Sequence, residues 1–270
     1  MLQDQLDLAI ATLLHRHPDL AAETLAVTVI DRATGEEAAH QGDQLCYPAS
    51  VVKLFYLAAT YAWVEAGKLE ATTELEAARQ AMIQASSNDA TAYIVDLLTD
   101  TTSGPELAAS EFALWQQKRL VVNTYFQQQG YSAINCCQKT WSDAPYGRDR
   151  QSYAQSRRNA LSTHATARLW QRIIEGNCVS PAASAAMLPI LQRDLDPPAT
   201  ATTQIIKCRA FWVRICARRS PSIPRQAKPV FVGMTAPTFA IAISSLPLVV
   251  VRPMFKISAG CPNSVNTGQP

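Results

Sequence analysis

The run SVVKLFYLAATYAWVEA, residues 50–66, constrains this chain more than any other stretch. It reads as a long apolar helix in which Val51, Val52, Leu54, Phe55, Leu57 and Ala58 look like core. A serine and a lysine interrupt it. Ser50 and Lys53 stand at i and i+3, so they share one helical face. Two readings compete. In the first, Ser50 caps the helix and Lys53 snorkels its amine out to water. In the second, the pair carries chemistry. A serine hydroxyl is a weak nucleophile until a base takes its proton. Lys53 serves as that base if burial beside Tyr47, Leu54 and Phe55 lowers its pKa, because desolvation disfavours the ammonium form. The helix N-terminus acts in the same direction, since its positive end repels a cation and favours an oxyanion.

Such a site also needs a proton carrier toward the leaving group and a polar group to hold a substrate amide. MIQASSNDATAYIVDLL, residues 82–98, supplies both types in Ser86 and Asn88. The stretch reads as two helical pieces with SSND (86–89) as the connecting loop, which can present them to the first helix. The alternative for these two residues is a solvated interhelical loop.

The rest of the chain supplies a frame. LAVTVIDRATGEE (25–37) alternates and then turns at Ala33-Thr34-Gly35, a strand entering a hairpin. The N-terminal segment predicts an amphipathic helix with Leu2, Leu6, Ile10 and Leu13 or Leu14 on one side. Residues 101–160 read as helix plus long loop. Two clear helices follow, one capped at Ser162 or Thr163 and ending at Gly176, the next opening at Ser180-Pro181.

Composition excludes several functions. A net charge of +2 argues against nucleic acid or an anionic membrane as partner. The apolar stretch FAIAISSLPLVVV is broken by Pro247 and falls short of a membrane span. Seven cysteines without a CxxC pair do not suggest a disulfide framework or a zinc site, and a reducing compartment is the default. His15 and His17 point to different faces of a helix, so no metal is expected there. No leader segment is evident, which makes the cytoplasm the default location. The expectation is a monomer with no cofactor and no metal.

In this order and context the motifs resemble a known family. SxxK at Ser50-Val51-Val52-Lys53, then SxN at Ser86-Ser87-Asn88, then the helical pair RRNALSTHATARLWQRIIEG and SPAASAAMLPILQRDL are similar to the class A β-lactamase and penicillin-binding serine hydrolases. The resemblance spans roughly residues 20–196. It implies an α/β (α+β) fold, an antiparallel sheet flanked by helices with a helical subdomain. It implies Ser50 as the acylated nucleophile, Lys53 as its general base, Ser86 as proton shuttle to the leaving nitrogen and Asn88 as the side chain orienting the acyl amide. The substrate would be a β-lactam, a peptide or an ester.

Two departures stand out. The family's Ω-loop glutamate, which activates the deacylating water, has no counterpart: between Glu111 and Glu175 the only acids are Asp143 and Asp149. The segment PYGRDRQSYAQSRRN occupies that place. Slow hydrolysis, esterase-like action or a stalled acyl-enzyme fits this better than efficient turnover. The family's lysine-threonine-glycine strand is also missing, since KISAG at 256–260 has the wrong internal spacing.

The composition breaks at Asp196, the last acid. From Pro197 to Pro270 there are nine Lys or Arg and no Asp or Glu. Residues 1–196 therefore read as the hydrolase domain, and 197–270 as an aberrant segment whose strands are doubtful. Translation out of frame from about residues 200–207 accounts for it. Starting from the third base of each codon, Phe211-Trp212-Val213 forces Leu-Gly, Gln226-Ala227-Lys228-Pro229 permits Ser-Lys-Ala/Thr-Gly, and Met234-Thr235 forces Asp. On this reading Lys228 is not a site residue as the chain stands. A defective or purely binding protein that keeps the fold is the alternative to an enzyme.

Overall fold

The computed structural model describes residues 1–18, 20–141, 144–155 and 157–192, together with the backbones of 230–235 and 238–243. In chain order the elements are α1 (Leu2–Arg16), β1 (Ala26–Asp31), β2 (Glu37–His40), α2 (Val52–Glu65), α3 (Thr73–Gln84), α4 (Asn88–Thr99), α5 (Ala109–Arg119) and α6 (Val121–Gln128). They continue as β3 (Ile134–Asn135), α7 (Gly147–Ala154), β4 (Ala160–Leu161), α8 (Thr163–Ile174), α9 (Pro181–Leu191), β5 (Val230–Thr235) and β6 (Thr238–Ile243).

Helix α2 lies at the centre. It contains neither Gly nor Pro, and its residues are buried without interruption from Val52 through Thr60. A helix apolar on all sides must be surrounded by other elements. Here α3, α4 and α9 pack around it. Phe55 meets the Phe126 and Tyr131 rings edge-on at 4.9 and 6.1 Å.

The starts of the surrounding helices are written locally. Thr72, Ser87, Ser162 and Ser180 accept hydrogen bonds from Leu75, Ala90, Ala165 and Ala183 backbone N–H groups at 3.1–3.2 Å. Each such cap contributes about 1 kcal/mol. Pro181 follows its cap at the first helical position, where no N–H is needed.

The larger sheet is antiparallel, in the order β2-β1-β6-β5. Strand β1 alternates as a two-sided strand should. Ala26 and Ile30 join the helical core, whereas Val27 packs with Leu6 and Ile10 of α1 on the opposite face. Buried Thr28 hydrogen-bonds Thr163 at 2.9 Å and so ties the sheet to the start of α8. The hairpin from β1 to β2 closes where the sequence turns, with Gly35 N–H donating to the Asp31 carbonyl at 2.8 Å and Gly35 at φ +72°. A smaller sheet pairs β3 with β4. The architecture is the expected one: antiparallel strands with helices on both faces and a helical subdomain.

Within the segment whose strands the sequence leaves doubtful, VFVGMT pairs with TFAIAI, and TFAIAI pairs with β1. Lys228, the KISAG stretch and the residues where the reading frame is expected to change lie outside the described residues, as does Asp143. Among the described residues no helix is long and apolar enough to cross a membrane.

Candidate active site

Ser50 sits in a single 3₁₀ turn, Ala49–Val51, that feeds directly into α2. The turn is aimed by Ala49, which adopts a left-handed φ of +48°. Lys53 follows one turn later. Its side chain does not snorkel: the residue is 1% exposed. Ser50 is half-buried and makes no side-chain cap, because the N-cap position of α2 is Val51. The bland reading of this pair therefore fails on both residues.

The loop between α3 and α4 closes over them. It is held by Met82 and Ile83 in the core, by Ser87 N–H donating to the Ala81 carbonyl at 3.0 Å, and by the Ser87 cap on α4. Ser86 takes a left-handed φ of +53°. Non-glycine residues held there store strain, of order 1–3 kcal/mol each, that the surrounding structure must override. Ala49 and Ser86 thus place two such residues at one site.

The result is a connected set of polar atoms. Lys53 Nζ donates to the Ser86 carbonyl at 2.6 Å, to Ser86 Oγ at 3.0 Å and to Asn88 Oδ1 at 3.0 Å. Ser86 Oγ donates in turn to Ser50 Oγ at 3.0 Å. All four residues singled out in the sequence meet. Ser86 Oγ stands between the amine and the nucleophile, and no direct hydrogen bond joins Lys53 to Ser50 among the described residues. The oxygens that receive the amine are all neutral. Burial lowers the Lys53 pKa from its usual 10.5 to about 8. The ammonium loses hydration there without gaining a carboxylate, so an amine able to accept a proton is populated near neutral pH.

Asp149, one of the two acids in the segment where a water-activating carboxylate would be sought, is committed elsewhere. It is fully buried, accepts from Arg119 Nη2 at 3.0 Å and from Ser103 Oγ at 2.7 Å. Arg119 also reaches Asp96 at 3.2 Å, and Lys139 joins Asp96 at 2.5 Å and Ser103 at 2.8 Å. Four buried or half-buried charges of balanced sign thereby lock α4, α5 and α7 together. A second clamp lies under α2. Tyr56, one turn beyond Lys53, donates to the Gln138 carbonyl at 2.7 Å and to Asn159 Oδ1 at 3.3 Å. Asn159 Oδ1 also accepts from the Cys137 and Gln138 N–H groups at 3.0 and 2.9 Å. Sequence reasoning missed Tyr56, Asn159 and Arg119 as positioning residues. Their partners lie tens of residues away, and no local spacing signals them. No group of His, Cys, Asp or Glu among the described residues could hold a metal ion.

In fold, the chain is similar to a beta-lactamase from Sphaerobacter thermophilus, with a TM-score of 0.55 and 18% identity over 89% of this chain and 88% of that one. It is similar to a PBP-A mutant solved as an acyl-enzyme complex with penicillin-G, with a TM-score of 0.53 and 17% identity over 93% and 89% of the two chains. A further PBP-A structure aligns with a TM-score of 0.51 and 19% identity over 90% and 85%. No curated protein matches the sequence. The description "Beta-lactamase enzyme family" matches residues 5–204, which include Ser50, Lys53, Ser86 and Asn88. With the match running over most of its length, the chain belongs to the beta-lactamase enzyme family, whose fold and class are those of serine β-lactamase-like hydrolases.

Proposed function

We propose that this chain is a serine hydrolase that opens a β-lactam, or another amide or ester, through an acyl-Ser50 intermediate and releases that intermediate slowly. The observation that carries the reading is the hydrogen-bonded path Lys53–Ser86–Ser50 beside a lysine whose pKa burial has brought to about 8. With Lys53 neutral, the path reverses. Ser50 Oγ–H donates to Ser86, and Ser86 donates to the amine. Ser50 Oγ attacks the carbonyl carbon as its proton moves to Ser86 and the Ser86 proton moves to Lys53. The tetrahedral oxyanion then collapses, the carbon–nitrogen bond breaks, and the nitrogen takes the proton of Ser86, which Lys53 replaces. Asn88, fixed through Oδ1 by Lys53, orients the acyl amide.

Hydrolysis of the ester needs a water and a base to activate it. Asp149 is the described acid in the relevant segment, and its partners are Arg119 and Ser103. This supports slow deacylation. Incubation with penicillin-G followed by intact-mass measurement tests the reading. A stable adduct that disappears in Ser50→Ala supports it. No adduct at any pH between 6 and 9 in a folded protein sinks it.

A second reading, a fold-retaining but defective product, draws on the acid-free segment after Asp196 and on the family match ending at residue 204, beside the expected change of frame. The nucleotide sequence decides it. A stop codon in the shifted frame before the Ser-Lys-Ala/Thr-Gly stretch removes the frame-shift explanation.

A further inference from the structure

We infer that the cavity at the C-terminal end of α2, walled by Glu65, Tyr125, Gln129, Arg172 and Val179, binds a small zwitterion, an α-amino acid with an apolar side chain. This site is separate from Ser50. Helix α2 is 14 residues long and Ser50 lies just before its first turn. At 1.5 Å per residue, about 21 Å of helix stands between the two.

Charge supplies the chemistry. The cavity measures about 300 Å³, at the small end of the range for ligand sites, and so suits a single amino acid. Glu65 of α2 and Arg172 of α8 both line it, and among the described residues no ion pair joins them or engages either one. Opposite charges that share a cavity without pairing leave a gap that a molecule carrying both signs can bridge. Each keeps bonding capacity. Glu65 Oε2 accepts from Ser180 Oγ at 2.6 Å, and the carboxylate retains Oε1 as a second acceptor. Arg172 Nε and Nη2 donate to the Asn177 carbonyl at 3.2 and 3.0 Å, which uses two of the guanidinium's five N–H groups. The negative end of α2 favours an ammonium on the Glu65 side, and a carboxylate then pairs with Arg172. The ring of Tyr125, set edge-on to Trp63 at 5.2 Å, joins Ala62 and Val179 as the wall for an apolar side chain.

The backbone of the wall points the same way. Val179 adopts a φ of +64°, where a β-branched residue is an outlier. Its neighbours impose that conformation from both sides. Arg172 holds the Asn177 carbonyl. The Cys178 N–H donates to Ser184 Oγ at 3.1 Å, and Ser184 Oγ donates back to the Cys178 carbonyl at 2.8 Å. Ser180 caps α9 and reaches Glu65. Strained residues cluster at ligand clamps, where the surrounding structure over-determines them. Two of the residues that fix this strain are Arg172 and Glu65, the same two charges that line the cavity.

The experiment titrates L-leucine, L-leucinamide and N-acetyl-L-leucine into the isotope-labelled full chain and follows backbone amide shifts by NMR. Leucinamide lacks the carboxylate, and N-acetylleucine lacks the ammonium. Leucine is expected to bind with a Kd of about 1 mM, with shifts centred on Ala66, Gln129 and Val179. Each of the other two should bind about threefold to tenfold more weakly. In Glu65→Gln, which keeps an acceptor for Ser180, leucine should lose its advantage over N-acetylleucine and keep its advantage over leucinamide. Leucine should bind equally well to Ser50→Ala and to protein already treated with penicillin-G. Equal affinities for the three compounds overturn the inference. So does the absence of saturable shifts at the cavity with leucine at about 20 mM, well above that Kd. Loss of leucine binding on acylation places leucine at Ser50 and overturns it as well. The acyl-serine reading stands or falls separately, on the penicillin-G adduct itself.

Discussion

Ser86 Oγ donates to Ser50 Oγ at 3.0 Å although 36 positions separate the two residues, and on its other side the same oxygen receives Lys53 Nζ. A hydroxyl that bridges base and nucleophile in this way carries a proton in whichever direction the amine's charge dictates. Replacing Ser86 by Ala removes the bridge and leaves Lys53 with the carbonyl of residue 86 and Asn88. Acylation of Ser50 by penicillin-G is expected to slow by about 100-fold or more. The thermal midpoint should change little, because the side chain is half-buried. A rate within threefold of the parent shows that the proton takes another route.

The pKa of about 8 at Lys53 sets a pH profile. The acylation rate should rise tenfold per pH unit below about 8 and level above it. A flat profile from pH 6 to 9 removes Lys53 as the base. Stability moves in the same direction. Between about pH 8 and 10.5 the folded chain binds fewer protons at this residue than the unfolded chain does. Relative to Lys53→Met, the native state therefore gains stability as pH rises through that window. Below it the full cost of burying the cation is present. Denaturant melts of the two proteins at pH 7 and pH 10 measure the difference.

Asp149→Asn leaves Arg119 buried with Asp96 as its remaining carboxylate partner among the described residues. Breaking a buried pair by removing one partner costs about 3–5 kcal/mol. The expected result is a large loss in urea-melt stability with Ser50 acylation within threefold of the parent at low temperature. A hundredfold loss of acylation in a fully folded variant would give Asp149 a role at the nucleophile.

Gly147 opens α7 at φ +51°, and a Cβ placed there would lie 1.9 Å from the Gly104 carbonyl oxygen. Gly35 has a similar φ of +72° with open space around it. Gly35→Ala should therefore cost only the left-handed backbone penalty, about 1–2 kcal/mol. Gly147→Ala must also displace backbone and should cost more than about 3 kcal/mol. Equal melting temperatures for the two variants refute the close approach.

Much of the frame is legible in the chain because its causes are local. The run 50–66 specifies a central helix through hydrophobicity on every side, and Ser162 and Ser180 mark helix starts through hydrogen bonds three residues long. Ser50, Lys53, Ser86 and Asn88 could be named from two short spacings. What they do to each other could not. Whether Lys53 reached water or stayed buried depended on α3, α4 and the strained loop at Ser86 closing over it. Desolvation, which turns an ordinary ammonium into a base, exists only once those elements pack. In one dimension Asp149 is an acid in the right segment that does not match the family's glutamate, and its partners are not visible. It becomes a structural counterion because folding brings Arg119 to 3.0 Å in a buried place where an unpaired charge would be too costly.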